Sequence, residues 1–289
     1  MLVTLQWILK EAEARKIAIG AFNTPNLESL QAILGAAEEM KLPVIIQFAQ
    51  CHEPWIPLSL IGPIMVEQAK KAAVPVCVHL DHGETLEYIQ QALDIGFTGV
   101  MYDGSTLPYE QNVENTRKVV GMALMKGAGV EAELGSMGRT ESGRGDRSGA
   151  EDETKIYTDP VKAREFVQTT RVDALACSFG TTHGIYLTQP RLDFNVVREV
   201  RAQTGALPVV MHGGSGVSTA DFHEAIRAGV RKINYFTYMD KSGGTACESY
   251  LGTLQGSEPR FFSSVVAAAR EAMKQNVMEA MRTFALLDE

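Results

Sequence analysis

Three histidines of this chain each follow a short apolar run, where their ring nitrogens could bind a metal. They are His82, His183 and His212. Neutral imidazole is the commonest side chain that binds zinc, and three protein ligands with an open fourth position form a catalytic zinc site. The three histidines therefore predict a catalytic metal centre if the fold brings them together. For any one of them alone, the alternative is a hydrogen-bonded loop residue.

Carboxylates accompany these histidines. Asp81 stands directly before His82, and Glu131 and Glu133 lie together in another apolar run. A carboxylate within hydrogen-bonding reach of a substrate can transfer protons, so Asp81 is a candidate acid or base. Its alternative role is to cap a helix or orient a histidine. Asp103 is expected to cap a helix or to support a ligand.

The other three histidines do not share this placement. We expect His79 to be a strand residue that supports the site. His52 and His223 are interpreted as ordinary surface or loop residues.

A glycine-rich stretch follows the apolar run that ends before His212. It reads His212-Gly213-Gly214-Ser215-Gly216 and precedes a predicted helix. Glycines let backbone N–H groups approach an anion, and a helix amino terminus adds a favourable dipole. The stretch predicts a phosphate site, although tight strand-to-helix turns also use glycine.

These residues are positioned by eight β-branched runs that alternate with amphipathic helical patterns. The predicted strands are Ala18–Phe22, Pro43–Phe48, Val74–Leu80, Gly99–Tyr102, Val130–Leu134, Ala174–Phe179, Pro208–Met211 and Lys232–Tyr235. The predicted helices include Leu27–Met40, Leu86–Ile95, Tyr109–Met125, Val161–Thr170, Phe194–Thr204 and Ala220–Ala228. Eight strand–helix units predict an α/β fold, a (β/α)8 TIM barrel, in which catalytic groups sit at the carboxyl ends of the strands. An open doubly wound sheet is the competing fold.

Two further helical stretches and two irregular segments complete the chain. Met1–Arg15 and Pro259–Phe284 predict extra N- and C-terminal helices. Ser136–Thr158 is rich in glycine and charge, and a loop of this length in a compact domain is usually functional or disordered. Ser242-Gly243-Gly244 is a second glycine-rich stretch, just after the eighth strand.

Composition limits the classes of function. The 289 residues carry a net charge of −8, which argues against a nucleic-acid-coating protein. No stretch approaches the roughly 18 apolar residues of a membrane helix, so no membrane partner is expected. The four cysteines are widely scattered, with no paired spacing, which indicates reduced thiols and a cytoplasmic protein.

Taken in order, the motifs resemble those of the class II (zinc-dependent) fructose-bisphosphate and tagatose-bisphosphate aldolases. The matching segments are Ala21-Phe22-Asn23, His79-Leu80-Asp81-His82-Gly83, Val130-Glu131-Ala132-Glu133-Leu134-Gly135, Gly180-Thr181-Thr182-His183-Gly184, His212-Gly213-Gly214-Ser215-Gly216, Lys232-Ile233-Asn234 and Glu258-Pro259-Arg260. The resemblance covers nearly the whole chain and implies that residues 1–289 form a single class II aldolase domain.

The resemblance implies a role for each matching residue at the reaction centre. His82, His183 and His212 would bind Zn²⁺, and Glu133 would join the metal when substrate is absent. Asp81 would exchange a proton with the hydroxyl at the broken bond. Glu141, on the long charged segment, would handle the proton of the enediolate carbon.

The resemblance also implies how a phosphorylated sugar binds. Asn23 would contact the metal-bound donor, and Arg260 would reach a neighbouring subunit's site, which implies a homodimer or homotetramer. The donor phosphate, often beside a monovalent cation (Na⁺ or K⁺), would be held by Gly184, Gly213, Ser215, Asn234 and Thr237.

The chain departs from the family pattern at two places near the expected site. Phe236 and Tyr238 replace smaller or acidic residues beside Asn234, and Ala49 stands where many relatives have serine. An inward-pointing Phe236 would change the wall that faces the second substrate. In the long segment the changed residues are Arg139, Ser142, Arg144 and Arg147. These arginines would either recognise an anionic acceptor or pair with nearby acids.

Other functions predict different observations. A Schiff-base aldolase needs a lysine at a strand's carboxyl end, and Lys232 is placed at the start of the eighth strand instead. If the protein were a zinc hydrolase or isomerase, Glu141 and the glycine-rich phosphate motif after His212 would have no clear role. A non-catalytic sugar-phosphate-binding or regulatory subunit would bind metal or ligand without turnover.

Overall fold

Eight strands form the centre of the molecule. The computed structural model describes residues 1–135, 157–182, 184, 190–256 and 258–288. The strands are β1 (Ile19–Asn23), β2 (Val44–Ala49), β3 (Val76–Gly83), β4 (Gly99–Tyr102), β5 (Gly129–Leu134), β6 (Ala174–Cys177), β7 (Val209–Met211) and β8 (Val230–Tyr235). All neighbours are parallel, and β8 pairs with β1, which closes the barrel. The open doubly wound sheet is therefore wrong for this chain.

Helices surround the barrel and follow the strands in the chain. They are α1 (Leu5–Arg15), α2 (Leu27–Met40), α3 (Leu58–Lys71), α4 (Leu86–Ile95), α5 (Tyr109–Lys126), α6 (Pro160–Thr170), α7 (Phe194–Gln203), α8 (Thr219–Ala228), α9 (Thr237–Thr253) and α10 (Phe262–Phe284). A short 3-10 turn, Gln50–His52, follows β2. Across the described ranges, no helix has the length and apolar character needed to cross a membrane.

The predicted elements are confirmed. Each predicted strand overlaps an observed one, and β3 differs most because pairing continues through Asp81 and His82 to Gly83. Asp159 caps α6, since its side chain accepts hydrogen bonds from the first turn of this helix. The Ser242-Gly243-Gly244 stretch lies inside α9, where Gly243 lets Met273 of α10 approach closely.

The buried residues form two layers. Strand residues that face outward pack against the helix ring, as parallel strands covered on both faces require. Inside the barrel, Ile19, Ile45 and Val210 join Leu5 and Ile8 of α1 in a separate apolar cluster. Thus α1, which also hydrogen-bonds to Thr98 before β4, closes the amino-terminal end. The carboxyl ends of the strands are left for polar residues.

Candidate active site

The polar side chains of the barrel gather at the carboxyl ends of the strands. Asp81 and His82 end β3, Glu131 and Glu133 lie on β5, and His212 follows β7. Asn23, Gln47 and Asn234 come from β1, β2 and β8. The strand-end placement that the sequence predicted is confirmed for these residues except Gln47, which the sequence analysis did not identify. His183 and Glu141 lie outside the described residues.

His82 and His212 face each other across the barrel mouth. His82 Nε2 and His212 Nδ1 are 3.0 Å apart. The other nitrogen of each ring contacts a carboxylate, at 2.8 Å from His82 Nδ1 to Asp103 and at 2.8 Å from His212 Nε2 to Glu131. A ring nitrogen that donates to a carboxylate leaves its partner nitrogen as an acceptor. The two facing nitrogens are then both acceptors, and a shared cation satisfies both.

The backbone at His82 is in the left-handed region, with φ of 43°. The pairing of β3 with β4 shifts register between Leu80 and Gly83, so His82 sits on a bulge. Bulges re-aim side chains, and left-handed backbone at a residue other than glycine is typical of functional sites. This irregularity turns the His82 ring into the mouth.

Glu133 is the third group beside the two rings. Its Oε2 is 3.7 Å from His212 Nδ1, is buried, and has no hydrogen-bond partner among the described residues. Burial, and next the charge on Asp103, raise the pKa of Glu133 to about 8. A cation here would supply the missing partner and favour the ionised carboxylate. Within the described ranges, ligand atoms of Asp81, His82 and His212, and of His82, Asp103 and Glu133, come within 4.8 Å of one another.

Asp81 is held by three amides. Asn234 Nδ2 donates to its Oδ1 at 3.0 Å, and Asn23 Nδ2 and Gln47 Nε2 donate to its Oδ2 at 3.0 and 3.1 Å. Burial alone would raise the pKa of Asp81, but the charges on His82 and Lys232 and the hydrogen bond from Asn23 lower it below the usual range. Asp81 is therefore ionised, and its oxygens are fixed in direction.

A buried ion pair lies deeper in the barrel than Asp81 and the amides that hold it. Lys232 Nζ is 2.8 Å from Glu131 Oε2 and donates to Asn234 Oδ1 at 2.7 Å. His79 Nε2 is 3.4 Å from the same Glu131 oxygen, which agrees with its predicted supporting role. The Lys232 amine is held by a carboxylate and an amide oxygen inside the barrel and is not a wall residue of the cleft, so it is not placed as a Schiff-base lysine needs to be.

A cleft opens beside His212, with Gly213 in its wall. Its walls are Asn23, Gly184, Gly213, Gly214, Ser215, Asn234, Tyr235, Phe236 and Thr237. Gly213 has φ of 63°, and a side chain there would meet the Thr182 carbonyl oxygen at 2.3 Å. The glycine is thus required by both conformation and space. Helices α8 and α9 begin beside this cleft, so its backbone favours an anion.

All the described residues predicted to hold phosphate line this cleft. They are Gly184, Gly213, Ser215, Asn234 and Thr237. Phe236 lines it too, as expected for an inward-pointing ring. Arg260 is exposed in the segment between α9 and α10 and is not a wall residue of the cleft.

His52 lies in a turn, as predicted, but its expected surface exposure is wrong, and His223 is neither a surface nor a loop residue. His52 has no exposed surface, although it follows β2 in a short turn, because Trp55 and Phe236 cover its ring. His223 lies in α8, is 8% exposed and contacts Asp288 at 2.9 Å. No local pattern marks either burial, since the covering residues come from other parts of the chain.

The sequence left two roles open for Asp103, which were to cap a helix or to support a ligand. In the structure, Asp103 lies at the site. It orients His82 and accepts from Ser105 Oγ at 2.6 Å, whereas the N-cap of α5 is Pro108. Burial would raise the pKa of Asp103, but the hydrogen bond and charge of His82 lower it. The supporting role is therefore confirmed and the capping role is wrong.

Comparison with known proteins matches these features to one family. The chain fits the family model described as fructose-bisphosphate aldolase class-II over residues 3–288. A fructose-bisphosphate aldolase from Staphylococcus aureus is 37% identical, with 98% of this chain and 97% of that protein covered. The counterpart from Staphylococcus epidermidis is 38% identical with the same coverage.

A solved structure has the same architecture. The crystal structure of the YdjI aldolase from Escherichia coli K12 is similar to this chain with a TM-score of 0.86. The two sequences are 34% identical, and 98% of this chain and 97% of that one are covered.

Proposed function

The chain belongs to the class II fructose-bisphosphate aldolase family, and we propose that it cleaves a ketose phosphate reversibly to dihydroxyacetone phosphate and an aldehyde, with Zn²⁺. It is an aldolase, a carbon–carbon lyase. The observation that carries the proposal is the convergence of two acceptor nitrogens, from His82 and His212, beside Asp81 and the glycine-lined cleft.

The residues present fit a zinc ion. The facing nitrogens of His82 and His212, and the Glu133 oxygen that lacks a hydrogen-bond partner among the described residues, are the nitrogen and oxygen donors that zinc prefers. We propose His183 as the third histidine ligand. When bound, the ion supplies Lewis-acid stabilisation of the negative charge that develops on the donor half.

Asp81 performs the first proton transfer in the proposed cleavage. It takes the proton of the hydroxyl on the fourth carbon, whose oxygen becomes the aldehyde carbonyl. The bond between the third and fourth carbons breaks, and its electron pair stays on the donor as an enediolate. Asn23 and Asn234 keep the carboxylate aimed at this hydroxyl.

Glu141 performs the second proton transfer. It protonates the enediolate at the third carbon and thereby completes dihydroxyacetone phosphate. The segment that carries Glu141 follows β5, at the carboxyl end of the barrel where the site lies.

The cleft holds the donor phosphate in this proposal. Backbone N–H groups near Gly213 and Ser215, with Asn234 and Thr237, would surround it, beside a monovalent cation (Na⁺ or K⁺). Asn23 lines the same cleft and would contact the donor. The substrate class is a fructose- or tagatose-bisphosphate-like ketose, and Phe236 in the wall favours an aldehyde other than glyceraldehyde 3-phosphate.

We further propose a homodimer or homotetramer within the cytoplasm, with residues 1–289 as one domain. Arg260 is exposed and therefore available to a neighbouring subunit's substrate. Among the described residues, Cys77, Cys177 and Cys247 are free thiols, which supports a reducing compartment.

A substrate panel tests the proposal. Ketose 1-phosphates and 1,6-bisphosphates are offered with and without a chelator, and triose phosphate is detected by coupled reduction. Turnover that chelation abolishes and zinc restores is expected. Zinc binding without turnover of any panel member would instead indicate a sugar-phosphate-binding subunit.

A further inference from the structure

His52 is a buried imidazole with unused hydrogen-bonding capacity. Its side chain has no exposed surface, and neither Nδ1 nor Nε2 has a hydrogen-bond partner among the described residues. Buried polar groups are nearly always paired, and an exception at an enzyme site indicates a group kept for a ligand. The proton transfers proposed above do not use this residue.

The turn that carries His52 is fixed on both sides. Gln50 Oε1 accepts from the Glu84 backbone N–H at 2.8 Å, and the Glu53 carboxylate accepts from the Leu58 N–H at 2.8 Å and from the Tyr88 hydroxyl. The His52 carbonyl accepts from the Trp55 N–H at 2.9 Å. His52 therefore occupies a built position between β2 and α3.

Aromatic rings enclose the imidazole. Trp55 stacks on it, with centroids 4.9 Å apart and planes 13° apart, and is itself 59% exposed. Phe236 lies 5.1 Å away at 50°, and it also lines the cleft described above. The half-buried ring of Phe236 thus separates His52 from the substrate cleft. A substrate group reaches the imidazole from the cleft only if the Phe236 ring turns to another rotamer.

His52 follows the strand next to the one that carries Asp81, the group that takes the aldehyde's hydroxyl proton in the proposed cleavage. The phosphate cleft is built mainly from loops after β7 and β8, whereas His52 follows β2, the neighbour of β3 that carries Asp81. Asp81 is near enough for its charge to act on His52, although burial dominates and lowers the pKa of His52 to about 4. The imidazole is therefore neutral, with one N–H donor and one acceptor nitrogen.

We propose that His52 is a specificity-determining residue that hydrogen-bonds a hydroxyl of the aldehyde half, and that Phe236 covers it until substrate enters. This inference rests on the proposed aldolase function. A neutral imidazole suits a hydroxyl, which both donates and accepts. Asp81, whose charge acts on His52, and Glu53, the next residue in the chain, disfavour a second anionic group at this point. The aromatic rings offer a surface to the C–H face of a hydroxylated aldehyde.

The synthetic direction tests this with acceptors of defined chemistry. Zinc-loaded enzyme joins dihydroxyacetone phosphate to glyceraldehyde or to propionaldehyde, which has no hydroxyl. The wild type is expected to prefer glyceraldehyde. His52→Phe keeps an aromatic ring but removes both nitrogens, and we expect kcat/KM for glyceraldehyde to fall about 10- to 100-fold, with a much smaller loss for propionaldehyde.

Two further variants separate binding from folding. His52→Gln keeps a donor and an acceptor and should recover part of the hydroxyl preference. His223→Gln removes the other non-site histidine, in α8, and should leave the preference unchanged. The thermal midpoint of His52→Phe should equal or exceed that of the wild type, because an unpaired polar group is removed from an apolar site. Equal losses for both aldehydes, or an unchanged preference, would overturn the inference.

A half-reaction of the donor alone distinguishes a failure of the proposed His52 role from a failure of the proposed aldolase function. In this half-reaction, the enzyme exchanges a hydrogen on the third carbon of dihydroxyacetone phosphate with deuterated solvent. The exchange needs zinc and dihydroxyacetone phosphate but no aldehyde. Exchange by the wild type together with an unaltered acceptor preference in His52→Phe would overturn the role of His52 alone. No exchange and no aldol formation by zinc-loaded wild type would overturn the proposed function and, with it, this inference.

Discussion

Asp103 Oδ2 lies 2.8 Å from His82 Nδ1, on the side of the ring opposite to His212. This contact fixes both the orientation and the tautomer of His82, so that Nε2 is left as an acceptor. Asp103 thus acts on the proposed metal site through His82, because it holds one ring nitrogen and leaves the other to bind the ion.

Asp103→Asn is expected to weaken zinc binding. The amide has one acceptor oxygen instead of two charged ones, so it no longer fixes the tautomer or raises the basicity of His82. The affinity for zinc should fall about 10- to 100-fold, as is usual when the partner of a ligand histidine is changed. Competition with a chromophoric chelator measures this. Ser105→Ala, which removes the other partner of Asp103, should have a much smaller effect, and equal affinities for wild type and Asp103→Asn would contradict the prediction.

Asp81→Asn should abolish most turnover while zinc remains bound. The amide is nearly isosteric but cannot take a proton, so kcat should fall about 100- to 10,000-fold. Metal content and steady-state cleavage are measured on the same sample. Asp94→Asn, a change of a surface aspartate paired with Lys126, is the matched control and should keep wild-type kcat. Retained turnover in Asp81→Asn would assign the proton transfer to another group.

Lys232→Met should destabilise the fold. It leaves the buried Glu131 carboxylate without its cation, and removal of one partner of a buried ion pair costs about 3–5 kcal/mol. Urea unfolding of the metal-free protein measures the loss. Lys232→Met/Glu131→Leu removes both charges and should recover much of the free energy of unfolding. If the single and double variants are equally unstable, the pair does not account for the loss.

Gly213→Ala should impair both stability and donor binding. The added methyl group meets the Thr182 carbonyl oxygen at 2.3 Å, and φ of 63° disfavours any side chain. Strain of this kind costs about 1–3 kcal/mol, and any relief moves backbone N–H groups of the cleft. Calorimetric titration with dihydroxyacetone phosphate should show weaker binding. Gly121→Ala, at a helical position with open space, should bind as the wild type does.

The pair between Glu13 and Arg231 predicts a pH dependence of stability far from the site. Glu13 Oε2 accepts from Arg231 Nε at 2.7 Å. Burial alone would raise the pKa of Glu13, but hydrogen bonds and charges from Arg231 and Arg201 lower it below its usual 4.5. A lowered carboxyl pKa stabilises the fold above the unfolded pKa, and this contribution is lost as pH falls through the folded pKa.

Glu13→Gln should therefore lower the free energy of unfolding at neutral pH and approach the wild type as pH drops from about 5 to about 3. Solvent screening of the 40% exposed Glu13 side chain limits the neutral-pH effect to about 1–2 kcal/mol. Denaturant titrations at several pH values measure it. Glu11→Gln, on the same helix with a more distant arginine partner, is the control. A difference that persists undiminished at low pH would contradict the linkage.

The barrel and most of the mouth could be predicted from the sequence. Apolar runs that alternate with helical patterns predict the eight strands. The order of the strands then places Asp81, His82 and His212 at the carboxyl end of the barrel. This works because the positions depend on chain order alone. The bulge at His82 was not predicted, since the backbone φ there is set by pairing between β3 and β4.

Contacts between distant segments could not be predicted. Lys232 meets Glu131 inside the barrel, and Phe236, which follows β8, covers His52, which follows β2. Nothing in the local pattern around His52 distinguishes it from a solvated turn residue. Tertiary packing determines such burial.

The pairing of β8 with β1 also has a consequence for how the chain reaches its native state. Ile19 is in register with Lys232, so the barrel closes only by joining residues more than 200 positions apart. Contacts of such long sequence separation slow folding, because the entropy of a large loop must be lost before they form. During synthesis, the edge of β1 that pairs with β8 stays unpaired until about four fifths of the chain has left the ribosome. We expect refolding in dilute solution to be slow, and aggregation through that edge to compete with it as concentration rises.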